Sequence, residues 1–224
     1  AVAAIAAGTW LSIASRPSIV RESAVRSPAR AEAFQAYQRG MYFLNRRQGG
    51  GCDLAEHYLK QALALAEDFA EAHAQLAFCY GFDHLAGRMP AAESARLGRE
   101  EALRALALDD RLPEAHLALG LVQHRVDYDW ASAERSLKRA VELAPGNATA
   151  LVFCAELLYA AGRDDEALAL YRAALAVTPF HLDHNTGFGY CLFNLRRFDE
   201  AITQFRKTLE LDPSWTTARF WLAE

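Results

Sequence analysis

Three prolines, Pro145, Pro179 and Pro213, stand 34 residues apart. The same kind of apolar run precedes each: Ala140-Val-Glu-Leu-Ala-Pro145, Ala174-Leu-Ala-Val-Thr-Pro179 and Thr208-Leu-Glu-Leu-Asp-Pro213. Proline has no N–H and pushes the residue before it out of the helical region, so each marks a helix end. The phrase recurs earlier with the proline replaced, at Ala62-Leu-Ala-Leu-Ala-Glu67 and Ala105-Leu-Ala-Leu-Asp-Asp110. A unit of this size has room for one helical hairpin, which buries its apolar face only by stacking on copies of itself. The expected fold is therefore an all-α solenoid of helix–turn–helix repeats.

Composition narrows the function classes. Of 224 residues, 52% are apolar and 23% charged, a globular mix. Net charge is −4, which argues against a protein held on nucleic acid by phosphate contacts. Residues 1–31 hold four arginines and one glutamate, a balance of +3, so residues 32–224 carry −7. Cys52, Cys79, Cys154 and Cys191 are far apart and form no CxxC pair. They read as small hydrophobes in a core rather than zinc ligands or a disulfide framework.

The organisation reads as three segments. Residues 1–14 carry no charge and are expected to be the end of a transmembrane helix, with a non-spanning alanine-rich helix or a leftover signal-type segment as alternatives; 14 helical residues alone would span about 21 Å of a hydrocarbon core of about 30 Å. Residues 15–31, with Pro17, Pro28 and several arginines, read as a polar linker. Residues 32–224 form the repeat domain. The expected placement is membrane-anchored, with the cytoplasm as the alternative.

The repeat resembles the tetratricopeptide repeat, which alternates small and large residues at fixed positions. The fourth copy supplies Ala155, Leu158, Gly162, Ala167, Tyr171, Ala174 and Pro179. The fifth supplies Gly189, Leu192, Ala201, Phe205, Thr208 and Pro213. Thr208 adds bulk where the pattern wants a small residue. The first three copies are looser, with Gly40, Leu59, Ala77, Gly98, Gly120 and Leu137 among their matching residues. They carry extra residues around Gly49-Gly-Gly51 and from Asp83 to Ala91. The resemblance implies a right-handed superhelix of five repeats plus the first helix of a sixth. The small positions let helix axes approach, and the large ones fill the groove beside them. Trp130 and Phe198 are expected to plug the turns. Two stretches, 36–47 and 125–134, are also similar to repeat arrays of bacterial membrane-associated transcriptional regulators, adenylate cyclases and serine/threonine kinases.

The resemblance further implies a concave face lined by the first helix of each repeat, open to a protein or peptide. The positions it points to are Tyr37, Met41 and Asn45 in the first repeat, Phe78 and Phe82 in the second, and Leu121, His124 and Arg125 in the third. The fourth gives Val152, Glu156 and Tyr159, the fifth Tyr190, Phe193 and Asn194, and the last helix Phe220. Such an aromatic groove suits an apolar or amphipathic segment. Several of these aromatics could equally serve packing between repeats. The lysine and asparagine clamp by which some relatives hold a C-terminal carboxylate is not matched, since Tyr37 and Met41 occupy its first-repeat positions.

Sites of chemistry are weak by comparison. His181 and His184 flank Asp183, but they follow Pro179 at a helix start, where such residues satisfy backbone groups more often than they hold a metal. The acidic pairs Glu100-Glu101, Asp109-Asp110 and Asp164-Asp165 diverge on a helix. The glycine run at 49–51 lacks the lysine and hydroxyl residue of a phosphate loop. The sequence thus reads as a non-enzymatic interaction scaffold without metal or cofactor, expected to be part of a larger bacterial signalling protein. The alternative is a small-molecule or peptide sensor.

Overall fold

The computed structural model describes residues 28–45, 51–83 and 87–223, the side chains of residues 45 and 51 excepted. Eleven helices and no strand occur among the described residues. They are α1 (Pro28–Asn45), α2 (Gly51–Leu65), α3 (Ala70–Asp83), α4 (Ala91–Leu108), α5 (Pro113–Arg125), α6 (Trp130–Leu143), α7 (Ala148–Ala160), α8 (Asp164–Val177), α9 (Leu182–Asn194), α10 (Phe198–Leu211) and α11 (Thr216–Ala223). Consecutive helices pair as hairpins, α1 with α2 through α9 with α10, and each hairpin packs on the next. The fold is the expected all-α solenoid. The first helix starts at Pro28, inside the stretch read as linker. The apolar run 1–14 and Gly49-Gly50 lie outside the described residues.

The small-and-large alternation does what its spacing implies. Ala55, Ala62, Ala77, Ala102, Ala133, Ala140, Ala155, Ala167 and Ala174 are wholly or almost wholly buried, and so are Leu59, Leu137, Leu158, Tyr171, Leu192 and Phe205. Glycine is used where even a methyl would collide. A Cβ on Gly189 would meet the Phe205 ring at 2.6 Å, and one on Gly120 would meet Leu137 at 2.7 Å. Thr208 fits its small site because its hydroxyl donates to the Gln204 carbonyl at 3.0 Å.

Two of the turns between paired helices share one design. After α7, the N–H of Gly162 donates to Tyr159 and that of Arg163 to Leu158, both at 2.9 Å. This is a Schellman closure, which needs a left-handed residue at its centre. Gly162 meets the requirement at φ 73°, and Arg196 fills the equivalent place after α9 at φ 59°. The next helices start on acids, Asp164 and Asp165 in α8 and Asp199 and Glu200 in α10, where the helix dipole favours negative charge. Trp130 and Phe198 are half-exposed rather than sealed. Each covers one aromatic of the preceding helix, His124 at 6.4 Å and Phe193 at 5.6 Å between ring centres.

Two irregular places carry buried polar groups. Asp83 ends α3 with 1% of its surface exposed, and Arg88, within the insertion, pairs with its carboxylate. Asn185 is fully buried. It accepts from the Gln204 amide at 2.6 Å and donates to the carbonyls of Pro179 and His181. Cys79, Cys154 and Cys191 are buried free thiols, and Cys52 is half-buried.

Candidate interaction groove

The first helices of successive repeats pack on one another, α3 on α5, α5 on α7 and α7 on α9. Leu121 on α5 presses onto the bare Cα of Gly81 on α3, where a Cβ would lie 2.7 Å from its side chain. The close approach of α3 and α5 lets α3 reach past α5 to α7. Phe153 on α7 lies 5.9 Å from Phe78 and 6.0 Å from Phe82, ring centre to ring centre. The Arg125 guanidinium sits 4.9 Å from the Phe82 ring and 5.0 Å from the Phe153 ring, and pairs with Glu156 at 2.5 Å. Cation–π contact and the ion pair together fasten three successive repeats.

Most of the residues singled out from sequence fall into two clusters. Phe78, Phe82, Leu121, Arg125, Val152 and Glu156 belong to the central plug, where Phe78 and Val152 are each 6% exposed and Leu121 not at all. Their role in this conformation is packing between repeats. Tyr190, Phe193 and Phe220 gather around Trp221 at 4.9, 5.3 and 5.3 Å, with Tyr190 and Phe220 largely exposed. Exposed Asn194 stands beside them, its amide donating to the Tyr190 carbonyl at 2.8 Å. Tyr159 is half-buried, and its hydroxyl is raised above the ordinary range by burial, with Tyr190 adding to it. Tyr37 is half-buried against Phe69 at 4.9 Å. His124 turns toward Trp130; burial and Arg125 push it down to about 4. The Asn45 side chain lies outside the described residues.

Beside the plug residue Phe78 lies a cavity of about 180 Å³ that draws on α1, α3, α5, α7 and α9. Met41 and Leu44 come from α1, Gln75 and Phe78 from α3, Glu114 and Leu117 from α5, Thr149 from α7 and Asp183 and His184 from α9, with Asn147 and His181 just before the last two helices. His181 caps α9: its Nδ1 accepts from the His184 backbone N–H, and the His184 ring meets the Thr178 hydroxyl at 2.8 Å. Among the described residues no group of three or more His, Cys, Asp or Glu side chains could hold a metal.

Sequence reasoning missed part of this wall. Glu114, Thr149 and Asp183, like Glu71 outside the cavity lining, are each the second residue of a first helix, a register the family pattern also turns inward. The signal was present, but the aromatics at later positions drew attention away from it. The Glu71 carboxyl is raised by burial first, and by Glu114 and Asp109 after that. Arg30 offsets this in part, while both Asp68 oxygens hold its guanidinium at 2.8 Å. The Tyr37 hydroxyl is raised by burial and by the same two glutamates.

A larger hollow of about 440 Å³ opens between α2, α3 and α4. Several of its polar groups are occupied with one another or with near neighbours. His73 bonds Glu101 at 2.5 Å and the Glu67 carbonyl at 2.8 Å, and Lys60 bonds Glu56 at 2.5 Å.

Paired helices, each hairpin stacked on the next, define a helical-repeat solenoid. Residues 127–184 and 186–214 each match a family model of the tetratricopeptide repeat. These two stretches are tetratricopeptide repeats, and the whole of the described chain shares the fold of proteins built from them. Solved structures agree on the fold. TTC0263, a thermophilic TPR protein of Thermus thermophilus, gives a TM-score of 0.70 at 20% identity, covering 85% of this chain and 97% of that one. PilF of Pseudomonas aeruginosa gives 0.59 at 18%, covering 82% and 78%. YrrB, a TPR protein with an unusual peptide-binding site, gives 0.53 at 17%, covering 92% and 98%. Among curated proteins, the CTR9 homolog of Arabidopsis thaliana is 35% identical over 83 residues. That stretch is 37% of this chain and 8% of the relative. No helix among the described residues is long and apolar enough to cross a membrane.

Proposed function

We propose that the solenoid is a non-enzymatic scaffold that captures a peptide segment of a protein partner along the inner ends of its first helices. The observation that carries this reading is the cavity shared by α1, α3, α5, α7 and α9. Its volume of about 180 Å³ falls below the roughly 300–1,000 Å³ of sites that enclose a small-molecule ligand. It suits one side chain of a longer chain lying outside it, which favours the scaffold over the metabolite-sensor alternative. The peptide-binding site in the name of YrrB is consistent with such use of the fold. The role as the sensory or scaffold region of a larger bacterial signalling protein rests on the resemblance of stretches 36–47 and 125–134. The membrane anchor rests on the uncharged run 1–14 alone.

A display library of random dodecapeptides tests the reading. Selected peptides are expected to lose affinity for the Met41→Ala and Leu117→Ala variants while circular dichroism stays helical. Peptides that bind both variants as tightly as the parent would place capture elsewhere. Thermal stabilisation by metabolites with no peptide selected would favour the sensor.

A further inference from the structure

We propose that the concave cavity receives the side chain of a lysine or arginine presented by the bound peptide, an assignment that rests on the scaffold reading above. The cavity has two kinds of wall. Met41, Leu44, Phe78 and Leu117 are apolar and suit an alkyl stem, while Glu114 and Asp183 add acidic side chains to the lining. That division matches a long basic side chain, which buries its methylenes along apolar surface and keeps its charge at a polar end. No lysine or arginine lines the cavity.

Charge complementarity singles out the occupant. Many acids of the second helices already hold a cation: Glu134 pairs with Lys138 and Arg163, Glu142 with Arg139, Glu166 with Arg163, and Glu200 with Arg197. Glu114 and Asp183 make no ion pair within 4.0 Å among the described residues. Glu71, on the neighbouring first helix, and Glu114 repel each other electrostatically, and the buried Glu71 Oε2 has no hydrogen-bond partner. Carboxyl groups without a cation favour an added positive group and disfavour an anion or an apolar residue that would bury them unpaired. The apolar walls, in turn, disfavour a hydrated metal ion. A peptide ammonium or guanidinium satisfies both requirements, and the guanidinium can bridge two carboxylates through its several donors.

The test uses the full chain and four pools of fluorescein-labelled dodecapeptides. Their flanks are random and their central residue is fixed as Lys, Arg, Met or Glu. Fluorescence anisotropy gives each apparent affinity at low and high salt. The Lys and Arg pools are expected to bind on the order of tenfold more tightly than the Met pool, and the Glu pool least tightly. Added salt narrows the gap, since a half-exposed pair is partly screened. The E114Q/D183N double variant loses the preference while circular dichroism stays helical; the salt series on the unaltered chain is a second readout. Met or Glu pools binding as tightly as Lys, with the Met41→Ala loss retained, overturns the basic side chain and leaves the scaffold standing. No pool binding at all overturns both. Spermidine binding more tightly than any pool assigns the carboxylates to a small organic cation and overturns the peptide assignment.

Discussion

Gly187 and Gly189 sit two residues apart on α9, and alanine at the two positions is expected to act with opposite sign. A Cβ on Gly189 would lie 2.6, 2.8 and 3.0 Å from three atoms of the Phe205 ring. Phe205 is 1% exposed and buried between α9 and α10, so the ring has little room to yield. Forcing a methyl into such a contact costs about 1–3 kcal/mol. The gain in helix propensity from glycine to alanine returns up to about 1 kcal/mol. G189A should therefore lose about 1–2 kcal/mol. On Gly187 the nearest atoms, both of the Tyr171 ring, lie 3.6 Å away, an ordinary contact. G187A meets no steric penalty and should gain about 0.5–1 kcal/mol. For a chain of this length the two variants should melt several degrees apart, at about 2–4 °C per kcal/mol. Urea titration followed by circular dichroism at 222 nm measures the difference. G189A proving as stable as G187A would refute close packing of the α9–α10 hairpin through its glycine.

Arg196 occupies a left-handed turn position that Gly162 fills in the preceding repeat. A left-handed residue with a Cβ costs about 1–2 kcal/mol and glycine's extra unfolded-state freedom offsets about 0.5–1, so Arg196→Gly should gain about 0.5–1 kcal/mol in urea; a loss would contradict the turn geometry. Arg88→Ala leaves the buried Asp83 carboxylate without its cation, and should cost about 3–5 kcal/mol. Adding Asp83→Asn should recover part of this, and a double variant no more stable than Arg88→Ala would argue against the charge as the cause. Burial alone would lower His73, but its bonds to Glu101 and to the Glu67 carbonyl outweigh this and hold its pKa above 6.5. The protonated pair's contribution is therefore full below pH 6.5 and lost as pH rises through the raised folded value. Unfolding midpoints across that range should fall in the parent and flatten in His73→Gln, and parallel profiles would count against the pairing.

The repeat was legible because its constraint is local and periodic. Proline at 145, 179 and 213, with alanine and glycine at the close-packed positions, prescribes helix ends and axis distances without knowledge of distant contacts. The groove was only half legible. Which residues belong to first helices followed from the register, but how far the inner wall closes depends on curvature. Curvature is set by details such as Gly81, which lets Leu121 draw α5 onto α3. That approach turns Phe78, Phe82 and Arg125 from candidate contacts into a plug with Phe153. Phe153 and Trp221 were not among the expected groove residues, since their reach across repeats depends on the same curvature. The polar network of Asn185 and Gln204 has no periodic signature, because each side chain has its partner in only one pair of helices.

Capture at the inner wall requires that the small cavity take part in it. Thr149 lines this cavity from α7 and is half-buried, so Thr149→Trp would fill the space with little change to the hairpin behind it. Measured against the tightest peptide from the Lys or Arg pools, this variant should bind on the order of tenfold more weakly while remaining as helical as the parent. An unchanged dissociation constant for a folded Thr149→Trp protein would mean that the peptide binds without entering the cavity.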